Sequence, residues 1–253
     1  MKKVKNYLLI IILALSIIVA FLLIDLYKGF QIIAPEDLVQ SRIEDDLPFK
    51  PEEAVSYKVK FNGIYVGDIN WEYLGRANAG DKLTDVISLS SDIKILKLFS
   101  IKSEEKLYID SDTHLPLRIE RNVIFFGKDE EILEVYNQKD GYVKISKVGK
   151  KRTKDEIIHL EAPIHNVIAL LYFYPEAREL NLGERSYFTL PAQEVSIKVV
   201  SLEMLDTDKG SFESYLLEGR PRKFKLWLDK EKRIPLRIEF PVFLGKIVIS
   251  RVD

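Results

Sequence analysis

The sequence predicts a mainly β protein: a curved antiparallel sheet forming a half-barrel or barrel, with a buried apolar helix, preceded by an N-terminal transmembrane helix. Three observations carry this. Tyr7 to Ile24 is an apolar run broken only by Ser16. From Val55 onward apolar and polar residues alternate with period two, between Gly, Asn and Asp breaks. A single all-apolar segment, Val167 to Tyr174, interrupts that texture.

The elements follow in order. As a helix at about 1.5 Å per residue, the first run covers roughly 27 Å, the hydrocarbon thickness of a bilayer. Lys2, Lys3 and Lys5 precede it and Asp25, Glu36 and Asp37 follow. The positive-inside rule keeps the N-terminus in the cytoplasm and sends the body across. The run is longer than a signal-peptide core, and Asp25-Leu26-Tyr27-Lys28 is bulky where a peptidase needs small side chains. Residues 1–29 are therefore expected to be an uncleaved signal-anchor, 30–53 a tether carrying Pro35, Pro48 and Pro51, and 54–253 the β domain. A short helix is allowed around Pro35–Glu44.

Val55, Tyr57, Val59 and Phe61 alternate with Ser56, Lys58 and Lys60, a half-buried strand that Asn62-Gly63 turns back as a hairpin. Strands are expected near 83–90, 93–99, 103–110, 116–125, 130–137 and 141–148, and again from 185 to the end. The charged stretch 149–162 reads as a connection into the apolar segment. Asn166 is a good N-cap for that segment and Pro175 its expected end. A helix apolar all round is buried on several sides, so it belongs against the concave face of the sheet. A buried strand is the competing reading.

Residues 106–123 and 225–242 align without gaps and match at nine of 18 positions. Each copy reads as a strand, a polar turn opened by Asp (Asp110, Asp229), and a strand opened by Pro (Pro116, Pro235). Arg118, Glu120, Arg237 and Glu239 fall on the polar phase of the second strand, where alternation explains them without a site.

The order of these features resembles a bacterial cell-envelope family known only as domain of unknown function 3108. Tyr57 leads to Gly63-Ile64-Tyr65-Val66-Gly67. A hairpin with Leu115-Pro116-Leu117-Arg118 precedes the apolar Ala169-Leu170-Leu171-Tyr172, and a Leu182-Gly183 turn precedes Leu226-Trp227-Leu228-Asp229 with Ile234-Pro235-Leu236-Arg237. The resemblance covers roughly 53–253. It implies a fold similar to the periplasmic lipoprotein carriers, a curved sheet wrapped round an apolar cavity plugged by helices.

Chemistry is bounded by what is missing. The chain has no Cys, which excludes disulfides, thiolate metal sites, a Cys nucleophile and lipoprotein acylation. Beyond residue 30 the charges are 34 basic and 38 acidic, which gives no electrostatic case for nucleic acid. There is no G-x-S-x-G, Walker loop or G-x-G-x-x-G. His114, His159 and His165 form no known ligand pattern, so no metal and no cofactor are expected. Asp110-x-Asp112 reads as turn formation rather than a calcium loop. The basic run Lys147–Lys154 reads as a solvated loop, with contact to anionic lipid as its functional alternative.

The expected function is a non-catalytic binding module for a lipid-like or apolar ligand. It is held by its N-terminal helix in a bacterial inner membrane, with the C-terminal domain in the periplasm. Ile168, Leu171 and Tyr172 are the expected ligand-facing residues, because a helix inserted in a curved sheet touches whatever shares the space. The alternative is a structural or protein-interaction domain of an envelope assembly, with a filled barrel and a functional sheet edge.

Overall fold

The computed structural model describes residues 54–79, 82–95, 99–125, 127–150, 152–177, 180–221, 223–242 and 245–252. The expected anchor, the tether and the Pro35–Glu44 helix lie outside them. Among the described residues, no helix is long and apolar enough to cross a membrane.

Fourteen strands form one antiparallel sheet: β1 (Ala54–Phe61), β2 (Ile64–Ala79), β3 (Lys82–Ile95), β4 (Phe99–Asp110), β5 (Pro116–Phe125), β6 (Lys128–Asn137), β7 (Tyr142–Gly149), β8 (Arg152–His159), β9 (Arg185–Leu190), β10 (Gln193–Thr207), β11 (Gly210–Arg220), β12 (Phe224–Asp229), β13 (Pro235–Val242) and β14 (Gly245–Arg251). Their spatial order is β8-β7-β6-β5-β4-β3-β2-β1-β14-β13-β12-β11-β10-β9. The first strand thus pairs with the last, and the edges are β8 and β9. Among the described residues one helix, α1 (Val167–Ala177), lies in the crossover between those edges.

The sheet is open, and its seam is spanned by the segment entering α1. Leu160 N donates to Gly141 O at 2.9 Å and His165 N to Thr189 O at 2.7 Å. Ile164 makes a parallel bridge to Thr189 of β9. The Gln138 side-chain amide completes the link, donating to Ile164 O (2.8 Å) and accepting from Ile164 N (2.9 Å) as a strand backbone would.

Local sequence explains the elements. Asn62 and Gly63 adopt φ of 48° and 82°, the left-handed pair that a tight hairpin needs. Gly67 is required by a close approach, since a Cβ there would sit 2.0 Å from Asp92 O. Three sequence expectations change. The Ser91-Asp92 gap between the expected strands 83–90 and 93–99 is not a break, because its polar groups pair across the ladder: Ser91 Oγ lies 3.1 Å from Ser103 Oγ, and Lys102 Nζ 2.8 Å from Asp92. Residues 152–159, expected as part of a connection, form edge strand β8, whose charges suit an edge. The apolar segment is a helix, as expected, but it runs through Pro175 to Ala177. Pro175 forfeits only the bond to the Leu171 carbonyl, close to the helix end.

The repeat is a structural duplication. The β4–β5 and β12–β13 hairpins share their turn atom for atom. Asp110 Oδ1 accepts from Asp112 N and Thr113 N, and Asp229 Oδ1 from Glu231 N and Lys232 N. His114 and Arg233 take φ of 56° and 58°. The match extends outward. Ladder shifts fall at Tyr73/Gly75 and Val199/Ser201, and the buried hydroxyls of Thr84 and Ser214 donate to the cross-strand carbonyls of Ala77 and Glu203. The strands β2–β5 and β10–β13 are thus two copies of one meander, each with its own buried cluster on the face toward α1.

Candidate functional site at the helix seam

Helix α1 is started by Asn166, whose Oδ1 accepts from Ile168 N at 2.8 Å and from Ala169 N at 3.4 Å. Its apolar girdle meets three clusters. Ala169 and Phe173 are buried in the first copy, with Ile87, Leu107 and Ile119. Leu170 and Leu171 pack against the second copy, with Leu217, Leu226 and Leu228. Ile168, Leu171 and Tyr172 pack on a third group made by Val55, Tyr57, Trp71 and Leu89.

The expected ligand-facing residues therefore come together on that third group, in an aromatic neighbourhood that the sequence did not single out. Trp71 lies 5.5 Å from Tyr57 and 6.3 Å from Tyr172, centroid to centroid, and Tyr172 stacks on Tyr73 at 6.3 Å. A pocket of about 20 Å³ opens here, lined by Val55, Trp71, Leu171, Tyr172, Arg233, Ile234 and Pro235. That volume holds about one water. Ile168 is not on its wall. The Trp71 side chain is 6% exposed, and its Nε1–H has no acceptor among the described residues. A buried donor without a partner is costly, so this indole stands out in a wall that is apolar apart from Arg233. The tryptophan of the second copy, Trp227, donates to Glu203 Oε1 at 2.8 Å.

The first copy also buries a charged network that the second lacks. Arg121 pairs with Glu105 at 2.7 Å and with Glu134 at 3.1 Å, with its side chain 3% exposed. Tyr136 donates its hydroxyl to Glu134, and the N-cap Asn166 reaches Tyr136 Oη at 3.5 Å. Burial opposes the Arg121 charge, but the two carboxylates outweigh it and hold the guanidinium above its ordinary range. Burial, then the Glu134 charge and hydrogen bond, push the Tyr136 phenol well up. Ladder positions make Phe224, Phe240 and Ile249 the counterparts of Glu105, Arg121 and Glu134. The Phe224 and Phe240 rings lie 6.0 Å apart. A signal was present: Arg121 and Glu134 sit in the apolar phase of their strands, beside Ile119 and Ile132.

The remaining candidates fall apart as sites. His114 stacks on Phe173 (4.9 Å), His159 lies near Tyr142 (5.9 Å) and His165 meets Phe188 edge-on (5.1 Å). No group of three or more His, Asp or Glu suited to a metal occurs among the described residues. Asp110 serves its turn and the Lys82 ammonium. Arg118 pairs with Glu120 at 2.8 Å, and Arg237 lies over Trp227 and donates to Asp206 O. Both arginines are on the face turned away from α1. There a broad open groove of about 630 Å³ is lined by Lys106, Arg118, Glu120, Asn122, Leu133 and Ser146. From the basic run, Lys147 is buried and pairs with Glu130, and Lys154 pairs with Glu156.

A family model matches residues 56–251, all of the sheet but the first two residues of β1, together with the helix. The chain belongs to the DUF3108 family of proteins of unknown function. No curated protein matches it. Among solved structures, the DUF3108 chain is similar to the beta-barrel-like protein of domain of unknown function DUF1849 from Brucella abortus. The TM-score is 0.50 at 10% identity, over 79% of this chain and 95% of that one. At that identity the likeness speaks for the fold alone.

Proposed function

We propose that this DUF3108 protein is a membrane-tethered, extracytoplasmic, non-catalytic binding module for a lipid-like ligand, taken up between α1 and the aromatic group around Trp71. The observation that carries the reading is the Trp71 Nε1–H: a buried, unpartnered donor in a pocket walled by Leu171 and Tyr172 and apolar apart from Arg233. Mostly apolar walls with a placed indole donor and one arginine suit an acyl chain bearing a carbonyl or carboxylate acceptor. A ligand larger than one water needs α1 to shift. The contacts α1 makes through Ile168, Leu171 and Tyr172 are ones an alkyl chain can replace in kind. The tether and the membrane address rest on the apolar run at residues 7–24 and its flanking charges.

Native mass spectrometry of residues 31–253, secreted to a periplasm and purified without detergent, tests this. The expected result is a co-purifying lipid that is retained by the wild type and lost from Trp71→Phe. A clean apo mass after incubation with total envelope lipid contradicts it. It would favour the second reading, an envelope interaction domain with a filled barrel, which the tight packing beside α1 and the unpaired outer edge of β8 support.

A further inference from the structure

Every neighbouring pair in this sheet is antiparallel and the strands follow chain order within each half. The seven turns β1–β2, β3–β4, β5–β6, β7–β8, β9–β10, β11–β12 and β13–β14 therefore share one end of the sheet. Two of them touch: Asn62 N donates to Lys246 O, and Lys246 N donates to Asn62 Oδ1, both at 2.9 Å. The five turns of the opposite end are β2–β3, β4–β5, β6–β7, β10–β11 and β12–β13.

The two ends differ in chemistry. Taking each turn with two strand residues on either side, the described side chains of the seven-turn end include eight basic and two acidic residues, Asp129 and Glu194. Lys60, Lys94, Lys128, Lys150, Lys223 and Lys246 are among the eight. The same count at the five-turn end gives six basic and seven acidic. Large apolar side chains accompany the positive set. Ile64 is 64% and Tyr65 53% exposed beside the Asn62-Gly63 turn, and Ile124 is 41% exposed beside the β5–β6 turn. Lys94 pairs with the exposed Asp92, a contact that water and salt weaken, and Lys246 with the half-buried Glu239. The turns of the five-turn end are polar, as in Ser111-Asp112-Thr113 and Gln138-Lys139-Asp140.

The Tyr65 hydroxyl donates to Asp68, but an end that combines exposed Ile and Tyr with a surplus of lysines matches one surface above others, an anionic bilayer. The apolar tips enter the interface, the Tyr65 ring sits at headgroup depth, and the lysines meet lipid phosphates. We propose that the seven-turn end docks this domain on an anionic lipid surface, whatever the occupant of the α1 seam. The tether permits it: 24 residues at about 3.3 Å each reach roughly 79 Å, whereas the 16 residues of β2 span about 53 Å. The basic run Lys147–Lys154, ambiguous alone, contributes Lys150 to this end.

The absence of cysteine makes the test clean. The full chain is reconstituted in vesicles of phosphatidylglycerol and phosphatidylethanolamine carrying a nitroxide-labelled lipid. It carries one environment-sensitive fluorophore, at Tyr65→Cys, at Lys128→Cys, or at Lys139→Cys of the opposite end. The expected result is quenching at 65 and 128 but not at 139, relieved by high salt. Equal quenching at both ends, or none at 65 and 128, overturns the proposal. The two probes at the docking end guard against one substitution failing to fold. Ligand retention at Trp71 is a separate readout and is unaffected by either outcome.

Discussion

Arg121 and Phe240 occupy the same place in two copies of one meander. In the first copy Arg121 lies between Glu105 and Glu134, and in the second Phe240 packs on Phe224 near Ile249. The fold thus accepts an apolar solution at the position where its first half carries buried charge. Buried ion pairs are weak sources of stability, because desolvation offsets their attraction.

That equivalence gives a sharp stability test. Arg121→Met alone leaves two buried carboxylates unpaired and is expected to cost about 3–5 kcal/mol in denaturant unfolding. The triple variant Glu105→Phe, Arg121→Phe, Glu134→Ile copies the second half and should fall within about 1 kcal/mol of the parent or above it. A triple variant as unstable as the single would show that the charges are structural.

The duplicated turns give a second test. Asp229→Ala removes the acceptor for Glu231 N and Lys232 N and should cost about 1 kcal/mol, whereas Asp229→Asn keeps the acceptor and most of the stability. Asp110→Ala should cost more, since Asp110 also pairs with Lys82. Thermal unfolding of the four proteins decides the order.

Alkaline pH tests the buried phenols. Burial first, then hydrogen bonds to carboxylates, raise the folded-state values of Tyr136 and Tyr73 above 10.0. A raised folded value means the native state holds the proton more tightly. The contribution is therefore complete below about pH 10 and is lost as pH rises above it. Stability should fall steeply above that pH, and less steeply in Tyr136→Phe. Phenolate absorbance from these two residues should appear only with unfolding.

The two tryptophans separate the seam from the rest of the sheet. Trp227 already has an acceptor in Glu203, and Trp71 has none. An acyl probe with a carbonyl should shift the emission of Trp227→Phe as much as the parent and leave Trp71→Phe unchanged. A shift confined to Trp227 would move the site elsewhere.

Much of this architecture was legible in the chain. Alternation placed Val55, Tyr57 and Val59 inward, Asn62-Gly63 announced its hairpin, and the matching Asp and Pro positions announced the duplication. Polar cross-strand pairing was not legible: Ser91 and Asp92 looked like a break until Ser103 and Lys102 stood opposite. At the seam, Leu171 and Tyr172 followed from the helix alone. Trp71 did not, because its isolation depends on which strands meet α1. The Arg121 network needed three strands in register before two out-of-phase charges became one cluster.

The most direct test is photo-crosslinking of the full chain in intact cells with a fatty acid bearing a diazirine near its carbonyl. Peptide mapping should place the label on Trp71 or on residues 168–172, and Trp71→Phe should reduce it. Label absent from both segments, or spread over the outer face of the sheet, would contradict a ligand at the α1 seam.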